Sequence, residues 1–426
     1  MTNNPLFNRE ILTVNPANAP QGQAIQNAID TVSRRGGGTV VVKAGRYELF
    51  DTIRLASDVR LVGDGTALLT RPQKLAASNL RCDVDVGQFV FSPEDVSVFT
   101  PGMGVCFHDQ ASRFVHQADP LRITRIEAND AHLHEMVLSD RLAQQNAVAL
   151  NYFPLILGKF ADRACVENLT LDGSVESTPI TDALWSYGLY LYRSRMCTVR
   201  GLTVRNVRGD GICFGKASLH TTVEDCDLHD NQNYGIHPGS HSARCAVRRC
   251  KIHGNGSDGL YICWGISHSV FEDNDIHDNG KRLWRSGIAI GHKDTDNLIA
   301  RNRVYSNAKF GICVREKTAA NGAHRNVFAD NIIENNGLDP AGIPQSLRYL
   351  PPETLIGCGV YINGVTDGLT FSKNTIRETR SDPHRYQRHA FIIDKDVTHL
   401  RLIDNQMSGH PEVPILDRYG ALTSTT

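Results

Sequence analysis

Short runs of alternating apolar and polar residues, each opened by a glycine, recur between Gly188 and Gly359. The glycines are Gly188, Gly211, Gly235, Gly259, Gly287, Gly311 and Gly359, at intervals of 23, 24, 24, 28, 24 and 48 residues. One position on stand Leu189, Ile212, Ile236, Leu260, Ile288, Ile312 and Val360. Two further on stand Leu191, Phe214, Pro238, Ile262, Ile290, Val314 and Ile362. Period-two alternation predicts a strand with one buried face. Repetition near 24 residues predicts a solenoid, whose units bury their apolar faces only by stacking on one another.

Two more apolar positions follow in each period, as in Val223 with Leu228, Val247 with Ile252 and Val270 with Ile276. A coil therefore holds about three short strands and no crossover helix. Asn206, Asn231, Asn255, Asn279, Asn307 and Asn335 close most periods. Asparagine tolerates left-handed backbone and its amide reaches the coil above, so a stacked ladder is expected. A leucine-rich repeat shares the period but needs a leucine–asparagine consensus that is absent. The pattern predicts an all-β, single-stranded right-handed parallel β-helix with coils about 4.8 Å apart.

Residues 23–33 carry Ala24, Ile25, Ala28, Ile29 and Val32 at helical spacing, which predicts a helix capping the open end of the solenoid. Residues 75–160 break the rhythm with alternating segments at 83–91, 104–109, 121–127 and 134–138, which predicts an antiparallel β insertion. Such an insertion either walls a binding groove or is a lateral flap. A second one, at 338–356, carries Pro340, Pro344, Pro351 and Pro352 and is expected to overhang the same face. The expected organisation is a cap with the first coils over 1–74, the insertion over 75–160, and the main helix with its C-terminal coils over 161–426.

The stretch AIQNAID…GGGTVVVKAGRYEL…IRLASDVRLVGDG resembles the opening of the pectin-lyase-like superfamily, which holds pectate lyases, polygalacturonases, alginate epimerases and phage tailspikes. The resemblance covers residues 20–70 and the coils from about 162 to 410. It implies the fold and leaves the reaction open, because that superfamily hosts several chemistries. Tyr234-Gly235-Ile236-His237-Pro238 resembles the Tyr-Gly-Phe-Asp-Pro-His motif of mannuronan C5-epimerases, but His237 takes its Asp position and Gly239 its His position. That activity therefore does not transfer directly.

Net charge is −1 with a pI near 7.0, which gives no lead toward nucleic acid or an anionic membrane. No apolar run is long enough for a membrane span. The opening MTNNPLFNRE lacks the basic and apolar regions of a signal peptide. The expectation is a cytoplasmic protein, or a secreted or periplasmic one if the sequence begins at a mature end. Eleven cysteines show no disulfide framework. Cys226 and Cys250 share a column, yet in-register parallel neighbours hold their Cβ atoms too far apart for a bridge, so packed thiols are expected.

Aligning the coils on their glycines gives outward columns. At +2 stand Tyr190, Cys213, His237, Tyr261, Ala289, Cys313 and Tyr361; at +4 stand Tyr192, Gly215, Gly239, Cys263, Gly291, Arg315 and Asn363. Beyond them come Arg193, Lys216, Ser240, Trp264, His292 and Glu316, then His241, Lys293 and Lys317. An idle sheet surface carries Thr, Ser, Asn, Lys and Glu; this one gathers His, Tyr, Trp, Arg and Lys over about four coils, roughly 15–20 Å. The glycines at +4 admit a ligand to the backbone. Tyr192, Tyr261 and Trp264 offer faces for sugar rings, and Arg193, Lys216, Lys293 and Arg315 offer cations for uronate carboxylates.

The expected function is therefore that of a carbohydrate-active enzyme on an oligo- or polysaccharide, working by β-elimination or C5 epimerisation. His237 is the expected base. Lys216 and Arg315 hold the carboxylate, His292 or Lys293 assists the leaving group, and Tyr261 and Trp264 stack the sugar. Two alternatives stand beside it: a glycoside hydrolase or intramolecular glycosyl-transferring enzyme using Asp294 and Glu316, and a non-catalytic glycan-binding or structural β-helix. Asp210 and Asp258 are expected to bond turn amides, and His324 with Arg325 to support Glu316 from outside the groove. No cofactor is expected. His229, His253 and His277 recur too regularly to be a zinc site, and the Asx-rich turn at 294–297 is a weak calcium candidate. The expected partner is a glycan, with no nucleic acid and no membrane, and a trimer is an open option.

Overall fold

The structure, a computed structural model, describes residues 5–16, 21–111, 115–116, 119–176, 184–347 and 356–422. Its strands are short and join three long parallel sheets, each coil giving one strand to each sheet. The chain divides into two compact units, Met1–Tyr190 with Arg205–Asp210 and Leu191–Val204 with Gly211–Thr426. No helix among the described residues is long and apolar enough to cross a membrane.

In the first unit, strand Gly38–Val42 lies parallel between Ile11–Val14 and Val59–Gly63. The strand at 11–14 was not expected. Helix Gln21–Arg34 buries Ile25, Ala28, Ile29 and Val32, while Ala24, expected on that stripe, faces solvent. Gln26 makes the helix a cap. Its carboxamide accepts the N–H of Arg54 at 2.7 Å and donates to the Arg54 carbonyl at 3.1 Å. Ile53–Arg54 is an edge strand, and these are the groups another strand would otherwise take.

Arg60 pairs with Cys165 and Leu68 with Thr170, so the coils on either side of the insertion stay in register. The insertion is a six-stranded antiparallel sheet in the order Ala77–Asn79, Val148–Leu150, Gly104–His108, Leu121–Glu127, Asp130–Leu133, Val90–Phe91. It has its own core, in which the Phe91 ring meets Phe99 and Phe107 edge-on at 5.6 and 5.2 Å. Two expected strands shift. The segment at 83–91 keeps only Val90–Phe91, and 134–138 is irregular because the His134 imidazole itself accepts the Arg122 N–H at 3.0 Å. The neck is clasped by Arg71, which is fully buried. Its Nε donates to the Phe153 carbonyl at 2.8 Å and a terminal nitrogen to the Gly173 carbonyl at 3.2 Å.

The second unit explains the repeating glycine. A Cβ at Gly235, Gly259, Gly287 or Gly311 would lie 2.6–2.9 Å from the amide nitrogen of Asn255, Asn279, Asn307 or Asn336. It would also lie 2.4–2.9 Å from a γ-methyl of Ile252, Ile276, Val304 or Ile333. Glycine is required here by lack of room. The asparagines form a ladder, Nδ2 to Oδ1, at 2.9, 2.9, 3.1 and 3.0 Å from Asn231 through Asn255, Asn279 and Asn307 to Asn336. Gln387 receives the last rung at 3.0 Å. Asn336 therefore replaces the expected Asn335, and Asn206 is not a rung but bonds Asp172 at 3.2 Å. A second, unexpected ladder runs through Asn274, Asn302, Asn331, Asn374 and Asn405.

Phe271, not Val270, is the buried residue of its strand. His229, His253, His277 and Tyr305 stack at 4.9, 4.9 and 4.8 Å between ring centres. All eleven cysteines are free thiols. Residues 338–347 seat Leu338, Ile343 and Leu347 on Trp284 and Ala308. Pro351 and Pro352 lie outside the described residues.

Candidate active site

Register builds the outward column of the second unit. Cys213 stands beside His237, Tyr261 beside Ala289, Ala289 beside Cys313, and Cys313 beside Tyr361. Ile236 pairs with Leu260, so His237 and Tyr261 come next on adjacent strands. Their rings meet edge-to-face at 5.1 Å and 76°. Tyr234 lies flat on Tyr261, centroids 3.9 Å apart and planes 3° apart, and turns its edge to His237 at 5.2 Å.

Arg315 completes the group from two coils on. Its guanidinium lies 4.2 Å over the Tyr261 ring, so Tyr234 and Arg315 take the two faces of that ring. The expectation that Tyr261 stacks a sugar is therefore corrected: both faces are occupied, and what Tyr261 presents is its hydroxyl. Arg315 donates to that hydroxyl, to the Ile262 carbonyl at 2.7 Å and to the Gly291 carbonyl at 3.2 Å. Its head group also lies 3.6 Å from Asp294. So Arg315, expected to grip a substrate carboxylate, commits both terminal nitrogens to the protein and positions Tyr261, while its buried Nε has no hydrogen bond. Burial pushes the Tyr261 phenol up to about 12, which keeps the proton on it near neutral pH.

Cys263 sits behind this pair, its thiol 3.6 Å from the Tyr261 hydroxyl. Burial raises its pKa, but the hydrogen bond with His237 and the charge of Arg315 outweigh burial and leave the thiol below its ordinary value. Asp210, Cys213 and His237 bring a carboxylate, a thiol and an imidazole together on this wall, their donor atoms within 4.8 Å of one another, a set whose chemistry suits a metal ion.

Asp294, expected to bind substrate or serve as an acid, is fully enclosed. It accepts N–H groups from Gly265 and Ile266 at 3.0 Å each and from Gly291 at 2.9 Å. Burial lifts its carboxyl to about 7. Glu316 is 68% exposed and lies 3.5 Å from Lys395. One carboxylate is thus committed to backbone and the other to the surface, so the acid pair needed for glycoside hydrolysis is not assembled. Asp258 accepts the Ser286 N–H at 2.9 Å. His324 bonds the Ala319 carbonyl at 2.7 Å and the Asp367 N–H at 3.0 Å. Arg325 pairs with Asp296 at 2.7 Å.

Trp264 and His292 form a second group, rings tilted at 4.5 Å, with Trp264 55% exposed. Burial, then Lys317, Arg315 and Lys293, lower the His292 pKa, so it is neutral near pH 7. Both lie in turns with left-handed backbone: φ is 55° and 65° at Lys216 and Ala217, 49° and 61° at Ser240 and His241, 69° at Trp264, and 69° and 67° at His292 and Lys293. Holding non-glycine residues there costs on the order of 1 kcal/mol each, and it turns their side chains outward. Arg193, Lys216 and Lys293 are exposed and Tyr192 is half-buried. Arg285 and Lys309, which the alignment at +2 and +4 passed over, stand side by side at the strand starts, the Lys309 N–H on the Arg285 carbonyl at 3.0 Å. Burial lowers the Lys309 pKa.

A family model described as "Right handed beta helix region" matches residues 187–376, and the fold is of that right-handed type. No curated protein matches the chain in sequence. Among solved structures, the A-module of Azotobacter vinelandii mannuronan C-5 epimerase AlgE4 is similar at 15% identity and a TM-score of 0.58, over 93% of each chain. The Dettilon tailspike protein is similar at 13% identity and 0.56, over 96% of this chain and 70% of that one. A protein described as a glycoside hydrolase is similar at 11% identity and 0.56, over 97% and 98%. At such identities the likeness is one of fold.

Proposed function

We propose that the protein is a carbohydrate-active enzyme that takes the C5 proton from a uronate in an oligo- or polysaccharide and completes either β-elimination or C5 epimerisation. His237 takes the proton. In elimination, the electron pair left at C5 forms the C4=C5 bond as the C4–O bond breaks, and the Tyr261 hydroxyl protonates the leaving oxygen. In epimerisation, the same carbanion takes a proton from solvent on its opposite face. The observation that carries this reading is the edge-to-face pair of His237 and Tyr261, with the phenol held by Arg315 and protonated at neutral pH.

Exposed Trp264 supports sugar stacking. Arg193, Lys216, Lys293 and Lys317 have no ion-pair partner among the described residues, which supports an acidic chain over a neutral one. The carboxylate falls to these cations, since Arg315 is committed. That one fold neighbour is a mannuronan epimerase and another a glycoside hydrolase supports a saccharide substrate. The test is a panel of polyuronates and neutral glycans, read by ultraviolet absorbance of the new C4=C5 bond and by proton NMR of C5 exchange in D2O. Turnover that survives both His237→Ala and Tyr261→Phe refutes the assignment, and glycan affinity with no product at all identifies a binding module instead.

A further inference from the structure

The first unit holds a cavity of about 460 Å³ where the first turn of the cap helix, the 50–52 turn and the insertion meet. Its apolar lining comes from Phe50, Pro101 and Met103. Three polar features of the lining have no partner among the described residues. The Thr52 hydroxyl is buried without a hydrogen bond, in a residue 2% exposed. The Arg122 guanidinium is half-buried and has no acceptor or ion pair. The first-turn N–H groups of Gly22 and Gln23 have no acceptor, as helix geometry dictates.

An orphan hydroxyl in a protein interior is costly, and a half-buried guanidinium with no hydrogen-bonded acceptor leaves its donors unmet, although the Asp51 carboxylate acts on it through space. Helix N–H groups add positive potential at the same place. Asp51 is the carboxylate in the lining. It is already bound by Arg54 at 2.7 Å, and burial raises its pKa. A carboxylate beside Arg122 favours a singly charged guest over a phosphate. Apolar walls with a few convergent polar groups, in a cavity of this size, are the usual make-up of a small-molecule site.

We propose that this cavity binds a small amphipathic carboxylate, with its acid group on Arg122, Thr52 and the helix N-terminus and its apolar body against Phe50, Pro101 and Met103. The site is independent of the sugar chemistry assigned above. The probes are n-alkanoates from butanoate to decanoate, with octanamide as the uncharged counterpart of octanoate, read by calorimetry and thermal shift. Affinity is expected to rise with chain length until the cavity is full, and octanamide to bind at least tenfold more weakly than octanoate. Arg122→Gln should remove that preference, and Met103→Trp, which fills the cavity, should abolish binding with the circular dichroism spectrum unchanged. Where Met103→Trp disturbs the fold, Pro101→Trp at the exposed rim serves in its place. No alkanoate binding, equal binding of octanoate and octanamide, or wild-type affinity in both the Arg122 and the cavity-filling variants would overturn the proposal.

Discussion

Replacing Asn279 by alanine tests what holds the coils at a fixed distance. The side chain is fully buried. Its Nδ2 donates to the carbonyls of Ile252 and His277 at 2.9 and 3.0 Å and to Asn307 Oδ1 at 3.1 Å. Its Oδ1 accepts the Asn255 N–H at 3.2 Å and Nδ2 at 2.9 Å. Two hydrogens shared among three acceptors count as two bonds, so about four are lost. At about 1 kcal/mol net each, the variant should lose about 4 kcal/mol. Asn335→Ala is the control. Asn335 is only half-buried, has φ of 56° and its side chain bonds Thr379 alone, through contacts that water can replace, so its loss should be smaller, about 2 kcal/mol, shared between those bonds and alanine in left-handed backbone. Urea unfolding followed by circular dichroism compares the midpoints. Because a chain of this length need not unfold in one step, hydrogen exchange at Ile252 and Ile276 supplies a local reading. Equal losses for the two variants would show that the ladder does not carry the stacking energy.

Tyr261→Phe should cut turnover about 10²- to 10³-fold while the ring, held between Tyr234 and Arg315, keeps its place; a variant as active as wild type excludes the phenol as acid. Trp264→Ala should raise KM several-fold and leave the melting temperature unchanged, because the ring is 55% exposed; an unchanged KM removes it from the sugar path. Asp294 has a folded pKa near 7 against an unfolded value near 3.8. Its contribution is therefore complete below about pH 4 and is lost as pH rises toward 7, by up to roughly 4 kcal/mol. Asp294→Asn cannot ionise, so its stability should be flatter across that window; parallel wild-type and variant curves would refute the shift.

The solenoid was legible because Gly235, Gly259, Gly287 and Gly311 are each forced by a clash with the ladder and the facing γ-methyl, so the period survives in the letters. Finer placements were not. Asn335 and Asn336 are adjacent and identical, and only the coil's path decides which turns inward. Val270 and Phe271 pose the same choice. The columns placed His237, Tyr261 and Arg315 together, but alignment does not show that Tyr234 and Arg315 cover both faces of one ring. Asp294 looked like chemistry and is a turn brace, because an aspartate after two left-handed residues can reach three backbone N–H groups. Cys263 stood in the +4 column between glycines and was the available sign of a special position. Arg285 and Lys309 needed one more column, two places before each glycine.

Arg71 joins the point where the chain leaves the coil to the point where it returns, so the lobe hangs from a closed stem. The windings before and after it are consecutive in space, so the lobe interrupts the chain without interrupting the stack. The lobe is in effect a cassette. Away from its contacts with Phe50 and Arg54 of the first coil, its length and surface can be exchanged by an engineer without rewinding the scaffold beneath.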